Sequence, residues 1–153
     1  MKIQKIVTVL LVSMTFWSCE KDNSDEILQQ DIAKIEKYIL DNNLNAFSLN
    51  TGLYYVIERQ GNGVNPTRNS TVLIRYKGYL LDGTIFDDDN QHTPIDFNLS
   101  GLIEGWRQGL PLFKEGGEGK LLIPSTLGYG EQSVGNIPPN SVLIFDIELV
   151  AVY

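Results

Sequence analysis

Apolar residues recur every three to four positions between Asn23 and about Asn43, at Ile27, Leu28, Ile32, Ile35, Ile39 and Leu40. That spacing lines them along one stripe and predicts an amphipathic helix. Ser24 or Asp25 can cap it, and Asp25 and Glu26 lie where the helix dipole favours anions. Gln29, Gln30, Asp31, Lys34, Glu36 and Lys37 are expected on the polar face. Such a stripe either docks on a neighbouring domain or serves as a homodimer arm over residues 24–43. One helix of about five turns is short for an independent arm, which favours docking.

From Leu53 the period changes to two. Leu53 to Arg59 reads as a strand, Gly61 to Pro66 as a loop, and Thr71 to Leu80 as a second strand. Along the second, Val72, Ile74 and Tyr76 face one way, and Leu73, Arg75 and Lys77 the other. Asp82-Gly83 is a turn signal. A short strand follows over Ile95 to Leu99, then a short helix over Ile103 to Leu110, stopped by Pro111. Lys120 to Ile123 and Val142 to Val152 complete the strands. The last has a wholly apolar odd face, Leu143, Phe145, Ile147, Leu149 and Ala151, while Asp146 and Glu148 lie on its even face. The simplest packing is an α+β fold in which an antiparallel sheet with one buried face curls over one short helix.

The segment ahead of all this reads as an address. Lys2 and Lys5 make a basic start, and Ile6 to Trp17 is an uncharged, mostly apolar stretch. At about a dozen residues it is too short to span a bilayer and suits the core of an export signal. Ser18-Cys19 then precedes the charged Glu20-Lys21-Asp22. A small residue before a lone cysteine resembles the processing box of bacterial lipoproteins, where the signal is removed and the cysteine bears lipid. The expected division is a signal peptide over 1–18, a lipidated linker and helix over 19–50, and a folded domain over 51–153. Ordinary signal cleavage beside a free thiol is the alternative. Either way the chain is exported. Lipidation would anchor it through Cys19 in the bacterial cell envelope, on the periplasmic or surface face of the outer membrane.

Composition narrows the chemistry. The chain is 42% hydrophobic and 20% charged, which supports a packed core. A formal net charge of -7 makes it a poor ligand for nucleic-acid backbones, so no nucleic acid is expected as a partner. One cysteine excludes an intrachain disulfide. One histidine, His92, excludes multi-histidine metal sites and leaves any triad-type hydrolase dependent on that residue. Asp87-Asp88-Asp89 lacks the glycine and terminal glutamate of a calcium loop, and no phosphate-loop motif occurs. Neither a metal nor a cofactor is expected.

Four blocks remain to be explained: YKGYLLDGTIFD from Tyr76 to Asp87, IEGWRQG from Ile103 to Gly109, PSTLGYG from Pro124 to Gly130, and IPPNSVLIFDIEL from Ile137 to Leu149. In this order and spacing they resemble the FKBP-type peptidyl-prolyl cis-trans isomerases, a resemblance that runs from Thr51 to Tyr153. It implies a twisted antiparallel sheet around a short helix, with the pocket between them. It also implies proline-containing polypeptides as substrates, and macrolides as ligands. Carried over by position, Trp106 is the pocket floor, and Tyr76, Phe86, Phe97 and Phe145 are its walls. Leu102 and Ile103 form the rim, with the Ile103 N–H a donor to bound peptide. The Tyr129 hydroxyl donates to a substrate carbonyl, Asp87 is the carboxylate beside Tyr76, and Ile137 is a contact before the last strand. Two departures bear on substrate preference and macrolide affinity. Ile95 stands where an aromatic is common, and the loop from Tyr129 to Ile137 is about one residue short and lacks a histidine.

The residue types suit the reaction. Turning an X-Pro amide means crossing a barrier of roughly 18–20 kcal/mol as resonance is lost. No other bond forms, so neither nucleophile nor metal is needed. A dry apolar slot that fits the twisted amide, with a few fixed donors, is sufficient. A binding module that keeps the pocket but turns over little is the competing reading.

Overall fold

The computed structural model describes residues 23–88 and 93–153. Cys19, Asp89 and His92, and with them the expected signal and lipidation site, lie outside the described residues. Helix α1 spans Asn23–Asp41. The strands are β1 (Phe47–Ser48), β2 (Tyr54–Arg59), β3 (Thr71–Tyr79), β4 (Ile85–Asp88), β5 (Ile95–Asn98), β6 (Glu118–Ile123) and β7 (Leu143–Val152). Helix α2, Glu104–Gly109, lies between β5 and β6.

The strands form one seven-stranded sheet in the order β1-β2-β6-β7-β3-β4, with β5 also paired to β3. Every pairing is antiparallel. β3 is shared: its C-terminal half carries β4 and its N-terminal half carries β5 on the same edge. Its other edge runs along β7, with Gly78 opposite Phe145. Leu80 to Thr84 forms the expected turn, with Gly83 at φ 85° supplying the left-handed residue.

The inner face of the sheet and α2 enclose the main core, which includes Val72, Ile74, Leu121, Ile123, Leu143, Phe145, Ile147 and Leu149. The approach of α2 is close because its buried face carries glycine. A Cβ on Gly105 would lie 2.4 Å from Ile123, and one on Gly109 would lie 2.5 Å from Leu121. α2 ends at Gly109, ahead of Pro111 as expected. The chain continues as a 3-10 turn, Leu110–Leu112, with Pro111 in its first positions, where a missing N–H costs nothing.

The outer face is not uniformly solvated, contrary to the expectation of one buried face. Ile35 of α1 is fully buried in a second cluster with Val56, Leu122, Val142 and Ile144, joined by Tyr38 and Ile39. The even face of β7 is therefore divided. Ile144 lies under α1, while Asp146 and Glu148 belong to an ion-pair network with Lys120 and Arg75. Docking also fixes the Tyr54 hydroxyl 2.8 Å from Glu36. Burial first, then this hydrogen bond, pushes the Tyr54 pKa up to about 12. Two helix assignments change. Leu40 is 76% exposed and leaves the stripe. Asp31, expected on the polar face, is only 1% exposed and lies within it.

Ile35→Ala should cost about 2–5 kcal/mol, the range for truncating a fully buried isoleucine. A thermal or urea melt reads this directly; a change below about 0.5 kcal/mol would mean that α1 is not seated on the sheet.

Candidate active site

A cavity of about 320 Å³ opens between the inner sheet face and α2. It is lined by all ten pocket residues expected from the resemblance: Tyr76, Phe86, Asp87, Phe97, Leu102, Ile103, Trp106, Tyr129, Ile137 and Phe145. They come from separate parts of the fold. Tyr76 stands on β3, Phe86 and Asp87 on β4, Phe97 on β5 and Phe145 on β7. Trp106 projects from α2, and Tyr129 and Ile137 lie between β6 and β7.

The rings meet edge to face. Trp106 lies 5.1 Å from Phe145 at 83°, 5.3 Å from Tyr76 at 84° and 5.6 Å from Phe97 at 79°. Phe86 meets Phe145 at 5.5 Å and 82°. These are the favourable T-shaped arrangements, each worth about 0.5–1.5 kcal/mol beyond burial. They lock one another's rotamers and hold the slot open. Gly78 is required for this arrangement. A Cβ there would lie 2.5 Å from the Phe86 ring and 2.9 Å from Phe145.

The polar groups are few. Among the described residues that line the cavity, Asp87 is the only acidic or basic side chain. Its Oδ2 accepts a 2.8 Å hydrogen bond from the Tyr76 hydroxyl at the exposed mouth. Tyr129 lines the pocket, and its pKa is raised above the usual 10, by burial first and by the Asp87 charge second. It therefore stays a protonated donor through neutral and mildly alkaline pH. The Ile103 N–H enters no backbone hydrogen bond among the described residues, which leaves it available. The described residues contain no cluster of three or more His, Cys, Asp or Glu able to hold a metal.

Ile95 is not part of the wall. It is 42% exposed on β5, opposite Ile74. Val134, Gly135 and Asn136 also line the pocket and were missed in the sequence reading. They form a tight reversal in which Val134 and Ile137 exchange backbone hydrogen bonds at 3.1 and 2.9 Å, with Gly135 at φ 54°. The signal was present as a Gly-Asn pair between Val and Ile, the composition of a two-residue hairpin.

An aromatic slot between a curled antiparallel sheet and a short helix, with a hydroxyl–carboxylate pair at its mouth, is an FKBP-like site. The sequence profile of the FKBP-type peptidyl-prolyl cis-trans isomerases matches residues 63–150. The chain belongs to this family. It is 47% identical over 103 residues to the FKBP-type peptidyl-prolyl cis-trans isomerase FkpA of Escherichia coli, covering 67% of this chain and 38% of that one. It is 35% identical over 154 residues to FkpA of Aeromonas hydrophila, covering 99% of this chain and 57% of that one. The chain thus spans only part of the length of these curated relatives. Among solved structures it resembles a peptidyl-prolyl cis-trans isomerase from Pseudomonas syringae pv. tomato. The TM-score is 0.73 at 32% identity, covering 84% of this chain and 95% of that one.

Proposed function

We propose that this chain accelerates cis-trans rotation of X-Pro bonds in exported polypeptides while tethered to a membrane by lipid on Cys19. The observation that carries the catalytic part is the aromatic slot itself, with its hydroxyl and carboxylate groups at one side. A proline ring enters over Trp106, between Tyr76, Phe97 and Phe145, and sheds water as it does so. The amide loses resonance as it turns and is then less polar than the planar form, so an apolar slot favours the twisted amide over the ground state. The Tyr129 hydroxyl and the Ile103 N–H hold substrate carbonyls on either side of the bond, and Asp87 sits beside Tyr76 at the rotating amide. Rotation transfers no group, so these residues act by position and field alone. The same slot suits the apolar ring of a macrolide.

Export and anchoring rest on the N-terminal sequence: a basic start, an apolar stretch and Ser18-Cys19. No helix of the described residues is long and apolar enough to cross a membrane. One acyl chain binds a bilayer only marginally, so stable attachment needs more than one. Packing of Ile35 against Val56 and Ile144 favours α1 as an intramolecular element over a dimer arm.

Turnover is tested by following isomerisation of a short X-Pro-Phe peptide. For the anchor, Cys19→Ala should release the protein from the membrane fraction or leave it unprocessed. A mature wild-type N-terminus at any residue other than Cys19 would refute lipidation.

A further inference from the structure

Asp31 is a carboxylate in the middle of an apolar stripe. It lies one helical turn from Ile27 and one from Ile35, and is 1% exposed. A carboxylate buried without partners is strongly disfavoured, so what it binds is informative. Its Oδ1 takes the Lys34 ammonium at 2.9 Å. Its Oδ2 accepts from the backbone N–H of Ser125 at 2.9 Å and from the Ser125 hydroxyl at 2.5 Å. Ser125 is fully buried.

Ser125 opens the 3-10 turn Ser125–Leu127, which leads straight to Tyr129. The Ser125 carbonyl accepts from the N–H groups of Gly128 and Gly130, both at 2.9 Å. Those two residues flank Tyr129. Gly130 is tied in turn to the Asn140 N–H at 2.7 Å. The backbone on both sides of Tyr129 is thus fixed to Ser125, and Ser125 to α1. The Tyr129 ring lines the pocket, so the place of its hydroxyl is set by its backbone and the pocket wall. An apolar side chain at position 31 would tolerate sliding of the helix, whereas a doubly bonded carboxylate specifies one seat.

We propose that Asp31 is a positioning residue of the isomerase site, acting through Ser125 to set where Tyr129 presents its hydroxyl. The inference rests on the reading of Tyr129 as the substrate donor. It makes α1, which lies outside the family match at 63–150, a working part of the site.

The test is a mutant cycle on the full chain: Asp31→Ala, Tyr129→Phe and the double variant, with Asp31→Asn and Ser125→Ala alongside. The readouts are kcat/KM on an X-Pro-Phe peptide, the melting temperature, and the NMR signal of the labelled Tyr129 ring. Asp31→Ala should lower kcat/KM about three- to tenfold, mainly through kcat, and shift the Tyr129 signal. In the Tyr129→Phe background it should have almost no further effect on turnover, although the melting temperature still falls. Asp31→Asn, which keeps an acceptor for the Ser125 N–H, should recover most of the loss. The proposal is overturned if Asp31→Ala lowers the melting temperature alone, or lowers kcat/KM by the same factor in both backgrounds. Should Asp31→Ala fail to fold, Ser125→Ala carries the same cycle, because it removes only the hydroxyl bond. An unchanged kcat/KM in Tyr129→Phe alone overturns the donor reading. The ring signal separates the two failures: if it moves with Asp31→Ala the positional link holds, and if it stays put the link is refuted.

Discussion

Trp106→Ala should lower the melting temperature by roughly 10–20 °C and abolish peptide binding with it. The indole is only 4% exposed and packs edge-on against Tyr76, Phe97 and Phe145. Truncating a buried tryptophan costs about 3–5 kcal/mol, because the lost contacts leave a cavity that a close-packed ring cluster cannot fill. That is a large share of the roughly 5–15 kcal/mol by which a domain is stable. Phe145→Leu separates packing from recognition. It keeps most of the volume, so the fold should survive, while binding and turnover fall together as one wall of the slot loses its flat face. A Phe145→Leu variant with unchanged peptide affinity would show that the proline ring does not sit against this wall.

Asp87→Val and Tyr129→Phe should behave differently. Asp87 is at the exposed mouth, and its partner, the Tyr76 hydroxyl, can turn to water, so little stability is lost. Tyr129→Phe removes one oxygen from a half-buried ring. If these groups act on the twisted amide, turnover falls more than ground-state affinity. Losing a central donor in a dry site costs on the order of 10²-fold in rate, and an amide that develops no full charge should lose less, about tenfold. Because burial and the Asp87 charge both raise the Tyr129 pKa above its ordinary value, its neutral donor form persists through neutral and mildly alkaline pH. The kcat/KM profile should therefore show no falling limb from this hydroxyl across that range, and Tyr129→Phe should lower the profile evenly there. Parallel measurements of kcat/KM and peptide Kd decide the matter. Equal losses in both would make the pair ordinary binding groups.

The sequence was most legible where one physical rule dominated. β7 alternates so strictly that its inner face, Leu143 to Leu149, is legible from the pattern alone, and the four motif blocks carry eight of the ten expected pocket residues, with Phe97 and Leu102 lying between the first block and the second. It was less legible where rules competed. Asp31 has helical spacing that puts it in the stripe, but its charge argues for solvent, and only the distant Ser125 resolves the conflict. Leu40 has the opposite problem: it is apolar, but five positions after Ile35 it is turned away from the face that packs, and it is 76% exposed while Ile39 joins the cluster. β1 is two residues long, too short for an alternation to register, and β4, Ile85-Phe86-Asp87-Asp88, sets two apolar residues before two acids instead of alternating; both pair with the edge of a neighbouring strand. Pro111 marks the end of the α-helix as expected, since α2 stops at Gly109, but the 3-10 turn that follows over Leu110–Leu112 has no signal of its own.

Turnover by the wild-type chain is the most direct test of isomerase activity. An X-Pro bond left alone takes about 10–100 s to isomerise at 25 °C. With micromolar protein, relaxation of an X-Pro-Phe peptide should become far faster, in proportion to protein concentration, and should slow with Asp87→Val. If the wild-type protein leaves that rate unchanged for several residues before proline while still binding unfolded chains, the slot is a binding site and the isomerase reading is wrong.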